Sequence, residues 1–362
     1  MVKFKLNLKR SSAYYKERYK RARQEIENNI LKDQPTIEVN IEQPYNRSKL
    51  TLGEYVTLDW EHRADIIRLK KVIRDYTTDS TKKRPLNIVM LAEPGSGKSH
   101  FIKCIAKKMD SENISAVTFN MANIDSINDF IQPLEAVRNL KVLDRLPILF
   151  LDEFDSNTKY YSLLLPLLWD GELHIGHSDL KLGKVIIIMA GSGQNIVDAM
   201  KASKEMQKQL NIDNPKLADL LSRINGGELE IPSLDLEKND RNRKVDKICI
   251  TIALTQQRFG EKITAVPWAF LRFVADNHFR YGVRSITHLV DLIPKIDDNS
   301  NELTLKDLNL PLRSVESLKK SSLIYHIVSE DGPAEIIRNW ENSNKSEILV
   351  RFKSIPEEEA TL

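Results

Sequence analysis

Two short runs hold residues whose types and order suit chemistry on a phosphoanhydride. The first is Glu93-Pro94-Gly95-Ser96-Gly97-Lys98-Ser99-His100. Its glycines let the backbone curl so that successive N–H groups converge on an anion, and Gly97-Lys98-Ser99 opens a helical pattern through Phe101, Ile102, Ile105 and Ala106. The positive end of that helix faces the same anion. In this setting the N–H groups of Gly95 to Ser99 would wrap a β-phosphate. Lys98 would reach the β- and γ-phosphates, and the Ser99 hydroxyl would hold Mg²⁺. Glu93, Pro94 and His100 flank the nucleotide in the same loop. The first glycine usual in such a loop is replaced by Ala92, at a strand exit where a small residue with negative φ serves. A chance Gly-rich turn is the plain alternative, and the strand before and helix after argue against it.

The second run is Pro147-Ile148-Leu149-Phe150-Leu151-Asp152-Glu153. A continuous apolar run ending in two carboxylates reads as a strand buried on both faces. Asp152 would bind Mg²⁺ directly or through water, and Glu153 would polarise the attacking water. A solvated strand end is the alternative, weakened by the run's position one strand and one helix downstream of the loop. Paired acids favour hydrolysis over mere binding.

The elements that must position these groups are legible as patterns. Leu86-Asn87-Ile88-Val89-Met90-Leu91 reads as the strand feeding the loop, Ile114 to Phe119 as a second strand, and Val185 to Met189 as another. Ile124 to Leu140 and Leu163 to Leu168 show helical spacing. Strands alternating with helices predict an α/β fold with a parallel sheet.

Bulk composition narrows the class. The 362 residues suffice for a full α/β domain and a smaller second one, and a net charge of +3 does not announce a nucleic-acid binder. Cys104 and Cys249 lie far apart, with neither disulfide nor zinc spacing, as expected in a reducing cytoplasm. No apolar run reaches the length of a membrane span, and the N-terminus lacks the apolar stretch of a secretory signal. A cytoplasmic protein without membrane contact is expected. His174 and His177 have a metal-capable spacing, but no Cys accompanies them and Gly176 lies between.

Charge is uneven. Residues 1–23 carry Lys3, Lys5, Lys9, Arg10, Lys16, Arg18, Lys20, Arg21 and Arg23 against Glu17, with Tyr14, Tyr15 and Tyr19 interleaved. Such a segment suits nucleic acid, with tyrosines stacking on bases. A solvated basic helix or an arm docking on an acidic partner is the favoured reading. Residues 33–50 hold Pro35, Pro44 and several Asn without periodicity and read as a linker.

Taken together, these motifs resemble the AAA+ ATPases. Beyond the loop and Asp152-Glu153, Ala190-Gly191-Ser192-Gly193 follows a strand where that family has its sensor 1 polar residue, making Ser192 the match, with Gln194 or Asn195 as substitutes. Leu217 to Ile224, followed by Glu228-Leu229-Glu230-Ile231-Pro232, looks like the helix end and strand bearing the arginine finger, at Arg223. Tyr281-Gly282-Val283-Arg284-Ser285-Ile286 looks like the sensor 2 motif of the helical lid, at Arg284. Leu164 to Leu173, up to the next strand, resembles the helix and pre-sensor-1 hairpin of some branches. With Asp152 to Asp155 and the Gly-x-Arg-Ser lid motif, it resembles bacterial AAA+ ATPases associated with antiviral defence and signalling.

The resemblance implies a P-loop AAA+ core with a C-terminal helical lid and a small α+β tail. Residues 1–50 would be a basic arm and linker, 51–235 the nucleotide-binding core, 236–312 the lid and 313–362 an extension. It implies ATP and Mg²⁺ as cofactors and a homo-oligomer, ring or helical and hexamer-like, in which Arg223 acts in trans. Turnover would remodel or regulate a partner protein or effector chain. A nucleic-acid-associated ATPase and an ATP-locked scaffold are the alternatives. No aromatic precedes Phe130 in the loop after the second strand, which speaks against chain threading. In the tail, Ser322 to Val328 and Ile348 to Phe352 read as strands flanking a helix from Ala334 to Trp340.

Overall fold

The computed structural model describes residues 2–32, 38–175, 178–191, 216–234, 241–297, 299–304 and 348–352. Helix α1 (Val2–Ile30), strand β1 (Glu38–Asn40) and helices α2 (Glu42–Ser48) and α3 (Trp60–Thr78) precede β2 (Leu86–Leu91) and α4 (Lys98–Lys108). Next come β3 (Ile114–Asn120), α5 (Ile131–Val142), β4 (Leu146–Asp152) and α6 (Tyr161–Asp170). The hairpin β5 (Glu172–Ile175) and β6 (Ser178–Lys181) leads to β7 (Ile186–Gly191), then α7 (Leu217–Leu221) and β8 (Glu228–Glu230). Helix α8 (Arg241–Phe259), β9 (Ala265–Pro267), α9 (Trp268–Asp276), α10 (Val283–Asp291) and β10 (Leu349–Arg351) follow. Residues 64–232 make one compact unit; those up to 63 and from 233 onward make another.

In the 64–232 unit the apolar runs become central strands. Residues of β2, β4 and β7 are buried almost throughout, as expected for strands covered on both faces. The sheet is parallel, with strand order β3-β4-β7-β2-β8. Val89, Leu149, Leu151, Ile187 and Met189 share a core with Phe130 just before α5, Leu134 of α5, and Leu164 and Leu167 of α6. Although β7 separates β2 from β4, both end on one edge: Leu91 aligns with Gly191, and Asp152 with Ala190. Open α/β sheets bind ligands at that carboxyl edge.

Two local features refine the sequence reading. The helix expected from Ile124 begins later, because Asp129 Oδ2 accepts the N–H groups of Ser126 (2.8 Å) and Asp125 (2.9 Å) and folds residues 127–130 into a tight turn. The hairpin after α6 forms as the resemblance implied, with His174 opposite Asp179.

Gly226 lies flat on β2. A Cβ there would sit 2.6 Å from Ile88 Cγ1 and 3.0 Å from the Asn87 carbonyl oxygen. Gly226→Ala is expected to cost about 1–3 kcal/mol by overpacking. Urea unfolding checks this, and an unchanged midpoint would contradict the packing described.

In the other unit, residues 38–48 form a strand and a helix rather than the linker expected over 33–50; residues 33–37 lie outside the described residues. Within that unit, β1 pairs parallel with β10, which pairs antiparallel with β9. Tyr45 of α2 is buried, and its hydroxyl donates to Gln256 Oε1 at 3.0 Å. A three-residue strand has no period to detect, and its partner stands near the other end of the chain. Helix α1 buries Tyr19, Ala22, Ile26 and Ile30, a stripe at helical spacing. Trp268 Nε1 donates to the Ile30 carbonyl at 3.0 Å. Tyr19 is therefore not a stacking group: its hydroxyl donates to the Arg47 carbonyl at 3.0 Å, whereas Tyr14 and Tyr15 are exposed. In the tail, β10 falls within the strand expected over 348–352. The strand expected over 322–328 and the helix over 334–340 lie outside the described residues.

Candidate active site

The phosphate-type loop follows β2 directly. Gly95 and Gly97 have φ of 80° and 91°, the left-handed region that glycine enters without penalty. Among the described residues with positive φ, Ala92 is absent. It is buried, and its N–H donates to the Gly191 carbonyl at 3.1 Å, so a small side chain satisfies this position. Glu93 accepts the Ser96 N–H on its carbonyl at 3.2 Å, closing the turn. The Phe101 N–H reaches the Gly97 carbonyl at 2.9 Å and starts α4.

Lys98 is the first residue of α4 and is buried, with its Nζ 3.5 Å from Asp152 Oδ1. The contact brings together the two residues expected to hold phosphate and cation, one from each run. Ser99 is exposed on the first turn of α4. Ser96 Oγ is buried and has no hydrogen-bond partner. Two left-handed glycines, a buried lysine and an orphaned hydroxyl at a helix start fit a polyphosphate chain: they offer donors and positive charge where an anion needs both.

At the end of β4, Glu153 adopts φ 52°. For a residue with a Cβ this conformation costs about 1–3 kcal/mol, and such strain gathers at functional positions. The Glu153 N–H donates to Asp152 Oδ1 at 3.0 Å, and its carbonyl accepts the Ser156 hydroxyl at 2.7 Å. The strained turn sends the two adjacent acids different ways. Asp152 faces Lys98, while Glu153 is exposed.

Arg223 follows α7, and its guanidinium carbon lies 5.4 Å from the centroid of the Trp169 ring. Its Nε is buried without a hydrogen-bond partner. Arg284, the second residue of α10, is exposed in the other unit, after Gly282 at φ 52°. Ser192, Gln194 and Asn195 lie outside the described residues, as does His177. His174 Nδ1 is 2.6 Å from Asp179 Oδ1 across the hairpin. Among the described residues no cluster of metal-ligating side chains is present, and no helix is long and apolar enough to cross a membrane.

Residues 88–214 match the sequence model of the family described as ATPase family associated with various cellular activities (AAA). Residues 88–214, about a third of the chain, thus carry the sequence pattern of an AAA ATPase domain. Strands β3, β4 and β7 and most of β2, which present Lys98 and Asp152 on one edge, lie within that stretch. Among solved structures, this chain is similar to a Saccharomyces cerevisiae Hsp104–ADP complex at 14% identity and TM-score 0.40, covering 71% of this chain and 44% of that one. It is also similar to Brucella abortus NtrX with ATP, at 16% identity and TM-score 0.45, covering 67% and 54% of the two chains. With ADP, NtrX matches at 15% and 0.44, covering 69% and 55%. The chain thus spans about half the length of these structures. No curated protein matches it.

Two residues of this domain escape a reading of motifs. Asn87 is fully buried inside β2, and the signal was there to see: one amide in an otherwise apolar strand. Trp169, 44% exposed at the end of α6, carries no such signal, because its partners are remote in sequence.

Proposed function

We propose that the chain is an oligomeric AAA+ ATPase that hydrolyses Mg²⁺-ATP at sites shared between neighbours and uses the turnover to remodel or regulate a partner protein. The observation that carries this reading is the placement of Arg223. Its carbonyl is tied to Asn87, near the start of β2, whereas the phosphate loop leaves the end of that strand. The intervening four residues span about 13 Å. The guanidinium lies beside Trp169 at the starting end, which supports a role at a neighbour's nucleotide rather than at its own.

In this reading the N–H groups of Gly95 to Ser99 and the Lys98 ammonium bind the β- and γ-phosphates, with Glu93, Pro94 and His100 beside them. Ser99 and Asp152 would hold Mg²⁺, which when bound neutralises charge on the phosphate oxygens. Glu153 orients the attacking water and takes its proton. Arg223 of the adjoining protomer stabilises charge on the transferred group. Arg284, on a lid spanning residues 236–312, and Ser192 sense the γ-phosphate. Ring or helical assembly follows from a finger acting in trans. The antiviral-defence setting rests on the family resemblance of Asp152 to Asp155, the hairpin and the lid motif.

A nucleic-acid client is the second reading, favoured by exposed Tyr14 and Tyr15, with the Arg18 guanidinium 5.3 Å from the Tyr14 ring. Steady-state ATPase rate against protein concentration, with and without DNA and RNA, separates the readings. A rate per protomer that climbs with concentration and ignores nucleic acid supports the protein-client oligomer. Stimulation by nucleic acid that fades with salt and in Tyr14→Ser/Tyr15→Ser supports the second. A rate per protomer independent of concentration across the assembly range contradicts the shared site. Slow turnover with tight nucleotide retention points to a scaffold.

A further inference from the structure

The side chain of Asn87 uses both of its amide hydrogens on two different backbones. Nδ2 donates to the Leu168 carbonyl at 2.6 Å and to the Arg223 carbonyl at 2.9 Å. Leu168 immediately precedes Trp169, so one buried amide fixes both the segment that carries the indole and the segment that carries the arginine. The main chain of Asn87 holds the same loop: its N–H donates to Asn225 Oδ1 at 2.8 Å, and its carbonyl accepts the Gly226 N–H at 2.8 Å. The backbone around Arg223 is therefore clamped to the strand that runs into the phosphate loop of its own protomer.

The arginine side chain is oriented by a second contact. The guanidinium carbons of Arg223 and Arg84 lie 5.4 Å and 4.3 Å from the centroid of the Trp169 ring. An indole face attracts both cations, which restrains the Arg223 guanidinium beside the ring. Arg84 sits three residues before Asn87, at the same end of β2. Two cationic groups thus gather on one half-exposed indole.

We propose that Trp169 and Asn87 are positioning residues for Arg223, holding its guanidinium in the orientation that serves the nucleotide of an adjoining protomer. The proposal rests on the reading of Arg223 as a finger acting in trans. Through Asn87, it also couples that finger to β2 and hence to the phosphate loop of the protomer that donates it.

The test is a double-mutant cycle on the full chain, read as single-turnover ATP hydrolysis with nucleotide affinity measured in parallel. Trp169→Ala lowers the hydrolysis rate about threefold with unchanged ATP affinity, and Trp169→Phe, which keeps a π face, recovers most of it. In the Arg223→Ala background, Trp169→Ala has no further effect, because residues acting through one group are not additive. Asn87→Ala follows the same pattern among variants whose melting temperature stays above the assay temperature. Equal losses from Trp169→Ala in both backgrounds, or a full rate in Trp169→Ala alone, would overturn the positioning role. A full rate in Arg223→Ala would instead overturn the finger reading, so the two failures are distinguishable.

Discussion

Arg223→Ala is expected to bind ATP as the wild type does and to hydrolyse it about 10³-fold more slowly, the lower end of what an arginine finger contributes. The two halves of this result come from different parts of the structure. Binding is kept because the loop glycines, Lys98 and Asp152 meet at the carboxyl edge of the sheet, while Arg223 is tied to Asn87 at the opposite end of β2. Hydrolysis is lost because charge on the γ-phosphoryl oxygens would be left without its cation. The same variant mixed with Glu153→Gln is expected to exceed the summed rates of the two alone, since each supplies what the other lacks. Fluorescent-nucleotide titration and single-turnover hydrolysis check both halves. Weakened ATP binding would place Arg223 at its own site, and an unchanged rate would remove it from catalysis.

Glu153→Gln is expected to retain ATP and lower turnover about 10²–10⁴-fold, the contribution typical of a positioned general base. The amide has nearly the volume of the carboxylate but accepts no proton at neutral pH. Backbone strain makes this position informative. Glu153 sits at φ 52°, and the strain is offset by bonds that close the turn around it: its own N–H to Asp152 Oδ1 and its carbonyl from the Ser156 N–H and hydroxyl. Glu153→Gly, which relieves the strain and removes the carboxylate, should therefore melt no lower than Glu153→Gln while hydrolysing equally poorly. Isothermal titration with ATP, rate measurements and thermal melts check the pair. A Glu153→Gln rate near wild type would move the base elsewhere.

Much of the candidate nucleotide site is legible in the sequence because its parts are contiguous. A strand, a turn with two left-handed glycines and a helix start occupy residues 86–108 without a break, so local propensity states the whole device. The carboxylates announce themselves as the polar end of an apolar strand. The N-terminal region was harder. Residues 38–48 lack periodicity because β1 is three residues long and α2 seven, too short for a pattern to rise above chance. Tyr19 looked like its neighbours Tyr14 and Tyr15 because a basic surround hides the stripe that buries it.

The chain's own order of residues determined that a Gly-rich loop opening a helix precedes a carboxylate-ended strand in a parallel α/β sheet, since hydrophobic runs, glycine placement and helix starts act over a few residues. Tertiary structure alone decided which end of β2 holds Arg223, that Asn87 serves two backbones at once, that Trp169 receives two arginines, and that β1 pairs with β10. Each of these joins residues remote along the chain. A hydrogen bond or a ring contact depends on distance in space, and no local pattern encodes which remote segment will be brought within its range.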